Sequence, residues 1–260
     1  MDFADDGLND PASYAQAHDI AEAALSAAAV SARPSIPDYL SRHYWWAYIS
    51  PKAVKFFERP WLVNLILLGN YNRLAKVAAD TIEAEAGSRI LQIACAYGEL
   101  TPSLARKVEA AKGELHVIDV LPIQLSNLSR KLGQDTPVQL SCMDSCNLKF
   151  RDEKFDSILL FFLMHEQPDE IRRQTLLEAW RVLKTGGKLL VVDYSLPSAW
   201  NPFRYFMRLV LRKLEPFALD LWVKDAASWL PPSLRAKVAA RRTFFAGMYQ
   251  MLEIEKRQGC

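Results

Sequence analysis

The pair in this sequence best suited to moving a proton is His165-Glu166. Imidazole titrates near neutral pH, and an adjacent carboxylate tunes it. Two further acids, Asp119 and Asp144, end or follow short apolar runs (114–119 and 138–142), and His165 follows a third (157–162). A carboxylate at such a position accepts from both hydroxyls of a ribose, which suits Asp119. Asp144 could accept from an adenine amine with Met143 packed on the ring, or act with His165 and Glu166 as a catalytic group. Gly98 lies 21 residues before Asp119, just after the run 89–94. In register, Gly98, Asp119 and Asp144 predict a nucleoside-type ligand. Gln92, Ala94, Tyr97, Val120, Ser145 and Phe162 fill neighbouring strand-end positions and are the other candidate binders. Plainer roles compete at each. Strand-end acids also cap helices, a loop histidine also bonds backbone, and Tyr97 also packs.

Something must hold these residues at one edge. From residue 89 onward, apolar runs of strand length (89–94, 114–119, 138–142, 157–162, 188–193) alternate with stretches of helical length (100–111, 123–132, 170–183). Nearly continuous apolar strands need cover on both faces, so the alternation predicts an open, mainly parallel α/β sheet. Such sheets bind ligands beyond the carboxyl ends of their strands, where the residues above fall. Gly186-Gly187 is expected to stop the helix 170–183. Residues 243–255 read as one or two final strands turning at Gly247. The expected organisation is an acidic tail (1–33), a helical lid and substrate region (34–88), and a ligand-binding domain (89–260) with a helical insertion at 195–240.

Composition narrows the function classes. The chain has 260 residues, 50% hydrophobic and 24% charged, with a net charge of only +2. No broad basic stripe points to nucleic acid. The four cysteines (Cys95, Cys142, Cys146, Cys260) form no C-x-x-C, so neither a disulfide scaffold nor a zinc ribbon is expected. Six acids precede the first basic residue, Arg33, which fits neither a secretory signal nor a mitochondrial presequence. A cytoplasmic location follows as the expectation. His18, His43 and His116 read as structural.

The order of strand-end residues over about 89–195 resembles class I S-adenosylmethionine-dependent methyltransferases. That resemblance implies a Rossmann-like fold with a mainly parallel seven-stranded sheet. The first motif of that family is acid-x-Gly-x-Gly-x-Gly, and here the positions read Gln92, Ala94, Ala96 and Gly98. A neutral amide replaces the acid expected near the methionine amino group, and Cβ atoms stand where backbone should approach the ligand.

A narrower resemblance rests on Tyr44-Trp-Trp-Ala-Tyr48, Gln92-Ile-Ala-Cys-Ala-Tyr-Gly98, Asp119-Val-Leu-Pro-Ile-Gln124, Leu160-Phe-Phe-Leu-Met-His-Glu-Gln-Pro168 and Leu214-Glu-Pro-Phe-Ala-Leu-Asp-Leu-Trp222. Over about 38–250 the chain resembles the rhodoquinone biosynthesis proteins, RquA, whose pattern includes the altered glycine loop. The resemblance implies conversion of ubiquinone to rhodoquinone, a carrier for anaerobic electron flow to fumarate. One ring methoxy group is replaced by an amino group, with S-adenosylmethionine as amino donor and manganese(II) in support. His165 and Glu166, with Asp144 behind them, are then the candidate manganese ligands. Such amination is an addition–elimination. It needs a neutral amine, a polarised carbonyl and a stabilised oxyanion.

A quinone lives in the bilayer, so a surface that meets the inner membrane is expected. In 202–222 the apolar residues Phe203, Phe206, Met207, Val210, Leu211, Leu214, Phe217 and Leu221 recur at helical spacing between Arg204, Arg208, Arg212 and Lys213, with Pro216 as a breaker. A core-facing stripe is the plainer reading. Two other functions compete: an ordinary methyltransferase on a quinone precursor, and a non-catalytic S-adenosylmethionine-binding membrane adaptor.

Overall fold

The computed structural model describes residues 34–133, 136–234 and 236–257. The expectations for the tail 1–33, with His18, and for Cys260 lie outside the described residues. Four helices come first: α1 (Leu40–Ile49, π-helical), α2 (Pro51–Phe57), α3 (Pro60–Ile66) and α4 (Tyr71–Thr81). Then β1 (Arg89–Ile93), α5 (Leu100–Ala110), β2 (Glu114–Asp119), α6 (Pro122–Leu132), β3 (Val138–Cys142), β4 (Phe155–Phe161), α7 (Asp169–Val182) and β5 (Leu183–Tyr194) alternate. The chain finishes with α8 (Arg204–Leu214), α9 (Asp220–Val223), β6 (Ala236–Phe244) and β7 (Tyr249–Lys256).

The seven strands make one sheet in the order β3-β2-β1-β4-β5-β7-β6. β1 to β5 pair in parallel, and β7 lies antiparallel between β5 and β6. The chain runs outward from β1 to β3, then returns to β4 on the other side of β1. That reversal opens a crevice at the carboxyl ends of β1 and β4. Ile90, Leu91, Ile93, Ile158, Leu159, Leu160, Leu189 and Leu190 are all buried, as a sheet covered on both faces demands. Helices α2, α3 and α6 each begin with proline, whose fixed φ suits a first turn and whose missing N–H costs nothing there.

Two local expectations are corrected. Gly186-Gly187 does not stop α7. The helix ends at Val182, Leu183 turns extended (φ −75°, ψ 133°), and the glycines fall inside β5. A Cβ on Gly187 would lie 2.8 Å from the carbonyl oxygens of Asp156 and Lys184. The glycine there permits close backbone approach. The single apolar stripe expected in 202–222 also divides. Met207, Leu211 and Leu221 enter the core, while Phe203, Phe206 and Leu214 stay exposed. The helix ends before Pro216, and β6 begins at Ala236, inside the stretch read as helical insertion. Among the described residues no helix is long and apolar enough to cross a membrane.

Candidate functional site

The carboxyl ends of β1 to β4 open on a cavity of about 190 Å³, roofed by α1 to α3.

One end suits a nucleoside. Ala94 opens the first loop in the left-handed region (φ 72°), a strained conformation for alanine. The following amide, Cys95 N–H, donates to Asp119 Oδ2 at 2.8 Å, and Leu121 N–H donates to Oδ1 at 2.8 Å. Asp119 thereby braces the first loop against the end of β2. Burial pushes its carboxyl up to about 6, although both amides oppose the shift. Ala94, Tyr97, Val120, Met143, Asp144, Ser145 and Phe162 line the cavity with it. Asp144 Oδ1 accepts from Cys146 N–H at 2.8 Å, and Ser145 Oγ is engaged by Thr175.

Two predicted binders do not reach the cavity wall. Gln92 is fully buried, donating to the Ala94 carbonyl at 3.0 Å and accepting from Thr101 Oγ1 at 3.1 Å. Gly98 (φ 77°) lies beneath the loop, where a Cβ would come within 2.8 Å of the Tyr71 ring. Its N–H donates to Glu58 at 3.1 Å and its carbonyl accepts from Lys131 at 2.6 Å. Glu58 also accepts from Asn127 at 2.6 Å, which latches the end of α2 onto α6.

The other end holds buried acid–base groups. A 3-10 turn after β4 presents His165 and Glu166. Asp193, near the end of β5, sets the imidazole: its Oδ1 lies 3.1 Å from Nδ1, and it also accepts from His165 N–H at 3.2 Å. His165 Nε2 stands 3.8 Å from Glu166 Oε1 and 4.0 Å from Glu215 Oε2. Glu166 accepts from the Tyr48 hydroxyl of α1. Glu215, from the end of α8, leaves Oε2 without a hydrogen bond. Burial pulls His165 down, but the Asp193 carboxylate, then Glu215 and Glu166, win and push it up to about 9. Burial pushes Glu166 up to about 8 against the nearby imidazole, and pushes Glu215 up too.

Asp144 shares the cavity but makes no hydrogen bond or ion pair with His165 or Glu166 among the described residues. Asp193 and Glu215 stand beside His165 instead. Asp193 had a signal, as an acid ending an apolar run. Glu215 had none of that kind, because the insertion delivers it. Nor do His165 and Glu166 form a metal centre. Among the described residues no group of three or more His, Cys, Asp or Glu side chains is arranged to hold a metal ion. With Nδ1 on Asp193 and Glu166 on Tyr48, the donors left do not fit a resident manganese(II). His116, as expected of a strand residue, is buried against Phe150 and Phe155, while His43 is exposed beside Phe217.

These shifts set a sign for stability. A histidine raised to about 9 contributes stability present below about 6.5 and lost as pH rises through 9. A glutamate raised to about 8 holds more protons folded than unfolded, so it also costs stability as pH rises from about 4.5 to 8. The unliganded protein is therefore expected to melt at a lower temperature at pH 9 than at pH 6. Glu166→Gln should flatten the difference, and scanning calorimetry at the two pH values reads it.

Fold and site together define a Rossmann-like domain whose cavity runs from the first loop and Asp119 to a chamber of buried acid–base groups. A methyltransferase-domain family matches residues 90–187. The demethylmenaquinone methyltransferase of Lactobacillus johnsonii is 32% identical over 142 residues, covering 54% of this chain and 56% of that protein. The 2-phytyl-1,4-naphtoquinone methyltransferase of Nostoc punctiforme is 30% identical, covering 66% and 75%. The ubiquinone/menaquinone biosynthesis C-methyltransferase UbiE of Chromobacterium violaceum is 29% identical, covering 65% and 68%. The chain thus spans little more than half the first relative's length. Among solved structures, the mitomycin 7-O-methyltransferase MmcR superposes with a TM-score of 0.64 at 19% identity, over 96% of this chain and 74% of that one. The chain belongs to the class I S-adenosylmethionine-dependent methyltransferases. Ala94, Tyr97, Asp119, Val120, Met143 and Asp144 line one end of its cavity, where the sequence predicts the nucleoside.

Proposed function

We propose that this protein acts on the ring of a lipid-soluble quinone, and that the group it transfers is an amine: ubiquinone to rhodoquinone with S-adenosylmethionine as amino donor. The quinone part is supported by the named substrates of the relatives and by the acid–base chamber beside the nucleoside pocket. The amination part rests on one observation. No carboxylate from the end of β1 meets the cavity: the residue there is the neutral Gln92, and its amide is turned inward onto Ala94 and Thr101. A methyl donor is well served by an acid that clamps its α-ammonium. An amine that must attack has to be neutral, and an acid there would hold its proton.

S-adenosylmethionine, when bound, supplies the transferable nitrogen. The chain supplies the rest. His165, held by Asp193 and charged below about 9, donates toward a quinone oxygen and stabilises the oxyanion formed as the ring is attacked. Glu166, at about 8, accepts the proton that the attacking amine sheds and returns it to the departing methoxy oxygen, so that methanol leaves. The donor's N–Cα bond must then break in an elimination that takes a proton from the adjacent carbon and leaves the electron pair on nitrogen. Tyr48 and Tyr97, stacked 5.9 Å apart, close the roof over the site. No step of this scheme passes through manganese(II).

A second reading, methyl transfer to a quinone precursor, is favoured by the activities named for the relatives. The same chamber would then deprotonate a ring hydroxyl. The deciding assay combines a tail-less ubiquinone, its demethylated precursor, and S-adenosylmethionine labelled with heavy nitrogen at the α-amine and heavy carbon in the methyl group, with and without manganese(II). Loss of methoxy with gain of labelled nitrogen supports amination. Labelled methyl on the precursor, with S-adenosylhomocysteine formed, replaces it by methylation. Gln92→Glu is expected to lower the melting temperature, because its carboxylate would lie buried against the Ala94 carbonyl that the Gln92 amide now satisfies.

A further inference from the structure

Two stretches of this chain leave large apolar side chains in solvent: one roofs the cavity, and the other runs into Glu215 of its lining. In 196–214 the exposed residues include Trp200 (76%), Tyr205 (75%), Phe206 (55%) and Leu209 (56%). On α8, Met207 and Leu211 face the core, so Tyr205, Phe206 and Leu209 form a second apolar face that the fold does not use. Arg204, Arg208 and Arg212 recur every four residues and so make a basic row beside it, with Lys213 next to them. None of these four cations has an ion-pair or hydrogen-bonding partner among the described residues. From 196 to 214 there is no acid at all. The helix ends at Glu215, which lines the acid–base chamber.

The roof repeats the pattern. Trp45, Phe56, Trp61, Leu65 and Ile66 are exposed on α1 to α3, with Lys52, Lys55 and Arg59 among them. Between 39 and 57 there is no acid, and the first one after that, Glu58, is taken by Lys131. Ile66 is both exposed and part of the cavity lining, which puts α3 at the mouth.

Exposed patches of this kind mark a docking site, and their chemistry selects the occupant. An apolar row flanked by unpaired cations, with Trp and Tyr carrying polar tips, matches the boundary between headgroups and acyl chains of an anionic bilayer. We propose that the exposed face of α8, together with the tips of α1 to α3, seats this protein on an anionic phospholipid surface with the cavity mouth turned toward the lipid. A lipid-soluble substrate would then enter along α3 and meet Glu215 and His165 without crossing water. Only that last step rests on the quinone reading above. The docking itself does not.

The test is flotation of the full-length protein with quinone-free vesicles, either phosphatidylcholine alone or phosphatidylcholine mixed with phosphatidylglycerol. The wild type is expected to float with the mixed vesicles, weakly with phosphatidylcholine alone, and to be released by added salt. Each basic residue near an anionic leaflet strengthens binding by about fivefold, so Arg208→Ala with Arg212→Ala should weaken it about 25-fold. Phe206→Glu with Leu209→Glu should abolish flotation at any salt concentration. Both double variants should keep wild-type turnover of a tail-less quinone and wild-type affinity for S-adenosylhomocysteine, which shows that they fold. The proposal is overturned if the wild type stays with the soluble fraction, or if both variants float as it does. It is also overturned if light scattering shows a dimer that the variants dissociate without any vesicle binding, since the face is then an interface between copies. A negative flotation leaves the isotope assay untouched, and a negative isotope assay leaves flotation untouched.

Discussion

His165→Asn is expected to lower turnover by about a thousandfold while leaving the affinity for S-adenosylhomocysteine within about twofold. Asparagine keeps a donor where Nδ1 meets Asp193, so the buried carboxylate is not orphaned and the turn after β4 stays in place. What is lost is Nε2, the atom that faces Glu166 and Glu215 across the chamber. The split between rate and binding separates a chemical role from a structural one. The pH dependence of kcat/KM gives a second reading. Glu166 must be ionised to take a proton, so activity rises through about 8. His165 must keep its proton to donate, so activity falls as pH passes about 9. Asp193→Asn removes the charge that raises the imidazole, and the alkaline limb should move to lower pH. Glu166→Gln should erase the acidic limb. Steady-state rates across pH 6–10 decide both, and a His165→Asn variant with wild-type turnover would take His165 out of the chemistry.

Asp119→Ala is expected to weaken S-adenosylhomocysteine binding by about two orders of magnitude, read by titration calorimetry. Hydrogen bonds from two ribose hydroxyls to an ionised acceptor are each worth about 1.5–3 kcal/mol. The substitution also frees Cys95 N–H and Leu121 N–H, so the strained Ala94 corner loses its brace. A fall in melting temperature should accompany the loss of affinity. Asp119→Asn separates the effects, because its one carbonyl oxygen still accepts from a backbone amide. Burial has lifted Asp119 to about 6, so wild-type affinity should decline as pH drops below 6 and the carboxyl takes up a proton. The Asn variant has no such proton to gain, and its affinity should be flat over that range. An Ala variant that binds as the wild type does would mean that the ribose is held elsewhere.

Particular residues show how far the chain could be read. The alternation of apolar runs with helical stretches located β1 to β5 and α5 to α7 to within about two residues at most boundaries, and placed Asp119, Asp144 and His165 at strand ends. That works because a covered parallel strand leaves a local mark, a continuous apolar run, and because the ligand rule for open sheets depends only on chain order. β5 is the exception. It begins at Leu183, five residues before the apolar run, because Gly186-Gly187 reads as a helix stop while Gly187 in fact allows close approach to β4.

The sequence by itself determined the strand order's raw material, the substitution of Gln92 for an acid, and the candidates His165 and Glu166. Only the tertiary structure decided which of these meet. Gln92 turns inward because Thr101 and the Ala94 carbonyl satisfy its amide there. Asp144 stays with Cys146 N–H, and Asp193 orients His165 across 28 residues of chain. Glu215 reaches the same chamber from the end of α8, and Tyr48 from α1. Periodicity reports on which face of an element is buried. Convergence of side chains from β4, β5, α1 and α8 depends on how those elements pack, and no local pattern encodes it. The same limit explains α8. Spacing marked an apolar helix, but only packing showed that Met207 and Leu211 meet the core while Phe206 and Leu209 are left facing out.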